Sequence, residues 1–192
     1  MSTFRDLVLK CRSYRRFAAD APVTEAALRG LVDLARQSPS GNNRQPLKYM
    51  LSSDPTRNAT IFRHLRWAAS LTDWPGPAAD ERPSAYIVIL ADREIGPNPG
   101  VDHGIAAYTI LLGATELGLG GCMLGNIDRK GLRRDLAIPE RYDIPLVVAV
   151  GRPIERVVLE DVPASATTTY YRAPDGTHHV PKRDLDGIII AG

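Results

Sequence analysis

Two continuous apolar runs constrain the fold of this chain more than any other feature of its sequence. Residues 85–91 read Ala-Tyr-Ile-Val-Ile-Leu-Ala, bounded by Pro83 and Asp92, and residues 145–151 read Pro-Leu-Val-Val-Ala-Val-Gly. A short apolar run without polar alternation is typical of a strand that is covered on both faces. The pattern predicts a sheet flanked by helices, in which residues 85–91 form a central strand.

Segments with helical spacing alternate with segments of strand character along the rest of the chain. A first short helix is predicted to end near Ser13, and a second runs from the N-cap Thr24 to Ser38. Three further helices are predicted: two over 61–71 and 105–117, and one from the N-cap Asp128 to Leu136. The further predicted strands are 47–51, 119–124, 167–172 and 178–180, the last two joined by a turn at Asp175-Gly176. This order predicts an α+β fold with a mixed central β-sheet.

The predicted helix over 105–117 is apolar around most of its circumference. Ala106, Ala107, Gly113 and Ala114 leave little side-chain bulk on one side. A helix of this kind belongs in a core or in a subunit interface. We expect it to lie in the core of a homodimer.

Length and composition indicate one globular domain over residues 1–192. The formal net charge is only +2, which argues against nucleic acid as a partner. No stretch approaches the roughly 20 apolar residues that span a bilayer, and the N-terminal residues lack the pattern of a secretory signal. We therefore expect a cytoplasmic protein without a membrane partner, whose cysteines Cys11 and Cys122 are free thiols.

Basic side chains cluster near both ends of the chain. Arg12, Arg15 and Arg16 lie within five positions with Ser13 among them, and Lys182 is followed by Arg183. A phosphate dianion needs several N–H and O–H donors that converge from different directions, and arginine supplies them well. Taken alone, each cluster is more typical of a solvated surface.

Amide side chains fill the loop between Pro39 and Pro46. Asn42, Asn43 and Gln45 each offer a donor and an acceptor, which suits the pyrimidine edge of a flavin. The same amides can instead satisfy the backbone of their own loop. The loop alone does not decide between these interpretations.

Glycines between residues 118 and 125 invite comparison with dinucleotide-binding loops. The spacing Gly-x-Gly-x-x-Gly that starts at Gly118 fails, because Met123 stands at the third glycine position. Their structural role would be a tight connection from helix to strand, and their functional role would be to let the backbone approach a ligand closely.

Other kinds of site have weaker signals. His178 and His179 with Asp175 or Asp184 could be considered for a metal, but adjacent residues of a strand point to opposite faces, so we predict no metal site. The sequence lacks the motifs of serine hydrolases, zinc peptidases and P-loop nucleoside triphosphatases. Cys122 in an apolar strand is typical of a buried, inert thiol.

Taken in order, these segments resemble the nitroreductase family of flavin enzymes over most of the chain. The family signature Arg-x-Ser-x-Arg-x-Phe is seen at residues 11–17 as Cys-Arg-Ser-Tyr-Arg-Arg-Phe. The signature Pro-Ser-x-x-Asn-x-Gln-Pro is matched at Pro39, Ser40, Asn43, Gln45 and Pro46. The chain departs from the family at Cys11, where relatives often have arginine, and at Leu47, where many have tryptophan.

The resemblance implies an intertwined homodimer that binds FMN non-covalently at the subunit interface and takes hydride from NADH or NADPH by a ping-pong mechanism. No protein residue is then expected as the catalytic acid or base, since the flavin carries the chemistry. The implied FMN-binding residues are Arg12, Ser13, Arg15, Pro39, Ser40, Asn43, Gln45, Leu124, Gly125, Lys182 and Arg183. One subunit would supply the phosphate contacts and the other the loop that starts at Pro39, while Leu124 and Gly125 would offer backbone near N1 and the C2 carbonyl.

The acceptor is expected to be a small organic molecule such as a nitroaromatic compound or a quinone. The same scaffold is associated with other flavin chemistry, such as enone reduction or dehalogenation, and a flavin-binding dimer without turnover is a further alternative. Trp74, with Trp67 nearby, is either part of a lid that stacks over the acceptor or a core residue.

Overall fold

A four-stranded sheet in the order β1-β2-β4-β3 forms the centre of the computed structural model, which describes residues 3–96 and 98–190. The strands are β1 (Leu47–Ser52), β2 (Ala85–Asp92), β3 (Gly120–Leu124) and β4 (Tyr142–Gly151). Every residue of β2 is buried, and the strand lies between β1 and β4. The prediction of a central strand over 85–91 is therefore confirmed.

The described ranges contain five α-helices. They are α1 (Phe4–Lys10), α2 (Glu25–Arg36), α3 (Pro55–Arg63), α4 (Asp102–Glu116) and α5 (Arg129–Asp135). The side chains of Thr24 and Asp128 accept N–H bonds from the third residue of α2 and of α5, at 3.2 and 3.1 Å. These two predicted N-caps are confirmed, and each fixes where its helix begins.

The two faces of the sheet contribute to two separate buried clusters. Ile87 and Ile89 of β2 pack with residues of α2 and α4, whereas Tyr86 and Val88 pack with residues of α3 and α5. Successive strand residues point to opposite faces, so an uninterrupted apolar run is what a sheet covered on both sides requires. The α+β class predicted from the sequence is confirmed.

The pairing within the central sheet differs from the mixed pairing that the sequence predicts. β1 with β2, β2 with β4 and β3 with β4 all pair antiparallel. The connection through α4 leaves β2 and β3 parallel to each other, but β4 inserts between them and is antiparallel to both. The alternation of strands and helices along the chain therefore does not appear as parallel neighbours.

The helix predicted over 61–71 is wrong in its position. α3 begins earlier, where Asp54 accepts the N–H of Arg57 at 2.8 Å and Pro55 occupies the first turn, and it ends at Arg63. Ala68 has a φ of 43°, in the left-handed region that a helix cannot contain. Residues 64–77 are therefore an irregular segment without helix.

A second, smaller sheet follows β4. It consists of β5 (Val157–Val162), β6 (Tyr171–Arg172) and β7 (His178–Arg183) in the order β5-β7-β6. β5 and β7 are parallel, whereas β6 and β7 form the predicted hairpin through Asp175-Gly176. Mixed pairing thus occurs in this sheet rather than in the central one.

No helix within residues 3–96 and 98–190 is long and apolar enough to cross a membrane. The cytoplasmic location and the single domain over residues 1–192 stay predictions.

Candidate functional site

A basic cavity of about 350 Å³ lies where the N-terminal segment meets the small sheet. It is lined by Cys11, Arg12, Ser13, Arg15, Val157, Tyr170, His178, Val180 and Lys182. Three of these residues are cations, and its described lining contains no carboxylate. The fold thus brings Arg12, Ser13 and Arg15 together with Lys182 from the opposite end of the chain.

Backbone contacts with β3 hold the N-terminal basic segment in place. Ser13 forms a parallel bridge with Gly121, and the N–H of Tyr14 donates to the carbonyl of Gly121 at 2.9 Å. Arg12 donates through Nη2 to the carbonyl of Val8 at 2.5 Å. Its Nε is buried and has no hydrogen-bond partner among the described residues, so this guanidinium retains a free donor beside the basic cavity.

Glu155 also holds the N-terminal basic segment in place. Its carboxylate is buried, accepts the backbone N–H groups of Arg15 and Arg16, and pairs with Nη2 of Arg172 at 3.0 Å. A buried carboxylate is stabilised only when its oxygens are occupied by donors, and here three donors occupy them. Sequence reasoning missed Glu155 and Arg172, because a single charged residue after a strand carries no periodic signal.

His178 is buried in the wall of the basic cavity, with 1 % of its surface exposed. Burial, and next the positive charges of Arg15 and Arg172, lower the pKa of His178 to about 4, so the ring is neutral at neutral pH. Because arginine can only donate, Nε2 accepts from Nη1 of Arg15 at 3.2 Å, and the ring proton is assigned to Nδ1. Nδ1 is buried without a partner in the described part of the chain.

The neighbouring His179 has different surroundings. Its Nδ1 lies 2.6 Å from Oε1 of Glu160, and its ring stacks on that of Tyr171 at 4.8 Å between centroids. The two histidines therefore do not converge on one point. Within the described ranges, no group of three or more histidine, cysteine, aspartate or glutamate side chains could hold a metal ion.

A second cavity of about 220 Å³, here called the turn cavity, lies beside the end of β3. Leu124 and Gly125 line it together with Arg66, Trp67 and Ala68. Arg15 and Tyr170 line both this cavity and the basic cavity, so they form the wall that the two share. Tyr170 is held there by the N–H of Ser70, which donates to its hydroxyl at 3.3 Å.

Cys122 also lines the turn cavity, but its thiol is buried. Burial raises the pKa of this thiol, so it stays protonated at neutral pH. Both cysteines are free. The chemistry of the turn cavity therefore does not involve a cysteine nucleophile.

The amide-rich loop lies beside a third cavity, of about 180 Å³, here called the loop cavity. Pro39, Ser40 and Gln45 line it, and its lining shares no residue with that of the other two. Asn43 is exposed at the end of a short 3-10 helix, Gly41–Asn43. Within one chain, this loop and the basic cavity do not form a common site.

Backbone strain and a buried carboxylate shape this loop. Asn42, Asn43 and Gln45 have φ values of 53°, 52° and 53°, in the left-handed region. Asp102 of α4 accepts from Oγ of Ser40 at 2.6 Å and from the N–H of Gly41 at 3.0 Å. Strained residues that are held by specific contacts are common at functional sites, so the loop is a candidate for ligand binding.

Besides Asn43, two predicted residues lie outside the linings of these cavities. Arg183, one position beyond Lys182 on β7, points its Nε to the carbonyl of Ala164 at 3.4 Å. Trp74 is half-buried, and the guanidinium of Arg172 lies 4.6 Å from its ring centroid. Their roles in binding stay predictions.

Comparison with known proteins identifies the family of this chain. The model of the nitroreductase family matches residues 8–152. The chain belongs to the nitroreductase family. The resemblance inferred from the sequence is thus confirmed, and the matched region contains the Arg12 segment, the Asn43 loop and the glycine-rich turn, whereas Lys182 lies beyond it.

Solved structures of nitroreductase family proteins have the same fold. An FMN-dependent nitroreductase from Clostridium difficile R20291 is 26% identical, with a TM-score of 0.64 over 78% of this chain and 87% of that one. A nitroreductase family protein from Streptococcus pneumoniae TIGR4 is 16% identical, with a TM-score of 0.72 over 99% and 100%. An enone reductase of gut-bacterial fatty acid saturation metabolism is 16% identical, with a TM-score of 0.67 over 80% and 90%. Family membership supports an oxidoreductase.

Proposed function

We propose that this chain binds FMN and acts as an NAD(P)H-dependent oxidoreductase on a small organic acceptor, such as a nitroaromatic compound or a quinone. The observation that carries the proposal is the junction of the basic cavity and the turn cavity across Arg15 and Tyr170. FMN has a phosphate at one end and a planar ring system at the other. Two adjoining cavities, one cationic and one open to glycine backbone, fit such a molecule.

The donors of the basic cavity suit a phosphate monoester. Arg12 has an Nε without a partner among the described residues, and Lys182 and Ser13 are exposed at the same cavity. Arg15 is more constrained, since its Nη1 contacts the carbonyl of Ser13 and Nε2 of His178, both at 3.2 Å. Arg12, Ser13 and Lys182 would therefore hold the phosphate, and Arg15 would lie between phosphate and ring.

The turn cavity would receive the flavin ring, with the backbone of Leu124 and Gly125 beside it. When bound, FMN supplies the hydride chemistry, and the protein contributes orientation and electrostatics. The guanidinium groups of Arg15 and Arg66 line this cavity and would stabilise the negative charge of a reduced flavin. No acid or base of the chain is needed for this role.

A homodimer would complete the site by adding the Asn43 loop of a second copy. Three exposed apolar residues support such an interface: Val101, which directly precedes α4, and Ile105 and Tyr108 on the outward face of α4, with 72%, 37% and 39% of their surfaces exposed. The apolar tail at residues 188–190 is also exposed, by 61% or more. The separation of the loop cavity from the basic cavity within one chain agrees with a contribution from a partner.

Other flavin chemistry on the same scaffold is the second candidate function, and the enone reductase among the structural relatives favours it. Because that relative is 16% identical, it shares the fold alone. An acceptor screen on the flavin-loaded protein, with nitroaromatic compounds, quinones and enones, separates the two candidates.

An anaerobic absorption spectrum tests the proposed function. The protein incubated with FMN and freed of excess ligand should show flavin absorption, and NADH or NADPH should bleach it. A protein that retains no FMN would contradict the proposal. Flavin absorption that neither nucleotide bleaches would indicate a binding protein without turnover.

A further inference from the structure

A further cavity of about 260 Å³, here called the distal cavity, lies on the α3 side of the central sheet. Its lining shares no residue with that of the basic, turn or loop cavities. This volume is more than ten times the space of about 10–15 Å³ that one water molecule requires. Pro22, Pro55, Ala59 and Phe62 form apolar walls, so the cavity can hold a small organic molecule.

Two polar groups in the lining of the distal cavity lack partners in the described part of the chain. Tyr86 is 1 % exposed, and its hydroxyl makes no hydrogen bond to any described residue. Arg82 is half-buried, and within residues 3–96 and 98–190 its buried Nε has no partner and its side chain forms no ion pair. Buried polar groups without partners are rare in native proteins, because each one costs the free energy of its lost hydration.

Asn58 and Ser84, two further polar residues of this lining, are already engaged by the protein. Asn58 accepts from Oγ of Ser52 and donates to the carbonyl of Ser84, both at 2.7 Å. Oγ of Ser84 donates to the carbonyl of Ala21 at 2.8 Å. Arg82 and Tyr86 therefore remain available to a ligand, as does the partly exposed hydroxyl of Ser53, and of these three groups only Arg82 carries a charge.

The chemistry of Arg82 and Tyr86 defines what would bind. The guanidinium of Arg82 lies 4.0 Å from the ring centroid of Phe62, which orients it within the cavity wall. Burial raises the pKa of Tyr86, so its hydroxyl stays protonated and can donate a hydrogen bond. A fixed cation and a hydroxyl donor beside apolar walls match a carboxylate that is attached to a compact apolar body.

We propose that the distal cavity is a binding site for a small organic monocarboxylate with an aromatic or branched aliphatic body. Its carboxylate pairs with Arg82 and accepts from Tyr86, and its apolar body lies against Phe62 and Pro55. This site is separate from the proposed FMN site.

Calorimetric titration of the full chain with sodium benzoate, with and without added FMN, tests the proposal. We expect one benzoate per chain and at least tenfold weaker binding in Arg82→Gln, because a hydrogen bond to a charged group is lost. Tyr86→Phe should weaken binding several-fold, and the neutral benzamide should bind less tightly than benzoate. Arg57→Gln is the matched control, since Arg57 is an exposed arginine on the same helix as Phe62 and lines a different groove; its affinity should equal that of the wild type.

Four results would overturn the proposal: no benzoate binding, equal affinity of wild type and Arg82→Gln, benzamide binding as tightly as benzoate, or benzoate that perturbs the flavin spectrum equally in wild type and Arg82→Gln. The last would locate benzoate at the flavin instead. Equal thermal midpoints of the variants exclude loss of folding as the cause of weaker binding. A chain that binds benzoate at Arg82 but takes up no FMN would contradict the proposed function and leave this proposal standing.

Discussion

Oε2 of Glu155 accepts a hydrogen bond from Nη2 of Arg172 at 3.0 Å, and the carboxylate is completely buried. The same carboxylate accepts the backbone N–H groups of Arg15 and Arg16. One buried charge thus joins the basic N-terminal segment to the hairpin of the small sheet. The shape of the basic cavity depends on this contact.

Replacement of Glu155 by alanine is expected to destabilise the protein by about 3–5 kcal/mol, because it leaves the mostly buried Arg172 without its partner. Urea denaturation measures the change. Glu140→Ala is the control: that side chain is 84% exposed and lies 3.6 Å from Nε of Arg133, so the loss should be below about 1 kcal/mol. Equal losses in the two variants would show that Glu155 does not anchor the segment.

Alanine at Gly121 is expected to destabilise the protein by about 1–3 kcal/mol or more, because its Cβ would lie 2.2 Å from the carbonyl oxygen of Ala149. Gly30→Ala is the matched control. Apart from the adjacent backbone of α2 itself, no atom of the described residues lies within 4 Å of a Cβ at Gly30, in the middle of α2, so alanine there should stabilise the protein by about 0.5–1 kcal/mol. Thermal midpoints that shift in the same direction would contradict the described packing of β3 against β4.

His178 is expected to make stability depend on pH. Its pKa of about 4 in the folded chain lies below the ordinary 6.5, so the unfolded chain takes up the proton first as the pH falls. The neutral ring contributes up to about 3 kcal/mol to the free energy of unfolding. This contribution is complete above the ordinary pKa and is lost as the pH falls towards about 4. His178→Gln should remove this part of the fall, whereas His179→Gln should keep it.

Urea denaturation of the three proteins between about pH 7 and about pH 4.5 makes this comparison. Carboxylates that titrate in the same range affect all three proteins, so the difference between His178→Gln and the wild type is the informative quantity. If the free energy of unfolding fell by the same amount in His178→Gln and in the wild type, the result would contradict a buried, neutral His178 ring.

The core of this fold could be predicted because its signals are local. The apolar run of β2 and the N-caps Thr24 and Asp128 specify their elements within a few residues. The difference at residues 61–71 has a local cause as well: the helix begins at the Asp54 cap and Pro55, and Ala68 adopts a left-handed conformation that alanine rarely adopts. The antiparallel pairing depends on where β4 inserts, which no local pattern specifies.

The site was predictable only in part. The sequence indicates Arg12 and Lys182 among the phosphate-binding residues, and the two residues line one cavity. Glu155 and Tyr170, which shape that cavity, are single residues without a motif. Their positions depend on contacts between segments that are far apart in the sequence, such as that of Glu155 with Arg15 and that of Tyr170 with Ser70.

Hybrid dimers test whether two subunits share the site. Arg12→Ala and Asn43→Ala should each weaken FMN binding as homodimers. If the Asn43 loop acts on the partner's FMN, a hybrid dimer with one subunit of each variant has one intact site. Co-expression of the two variants, each with its own affinity tag, allows the hybrid to be purified, and it should bind FMN with near wild-type affinity. If both residues serve the same protomer's site, no hybrid has an intact site. A hybrid that does not recover FMN binding would contradict the shared site. So would an Asn43→Ala homodimer that binds FMN as tightly as the wild type.

The comparison of FMN with riboflavin in the wild type and in two arginine variants tests the phosphate site most directly. We expect the wild type to prefer FMN, and Arg12→Ala to weaken FMN binding by about 1.5–3 kcal/mol while it leaves riboflavin binding nearly unchanged. Arg5→Ala, an exposed arginine on α1, should change neither affinity by more than a few tenths of a kcal/mol. Equal dissociation constants of Arg12→Ala and Arg5→Ala for FMN, or a wild type that binds riboflavin as tightly as FMN, would contradict the account.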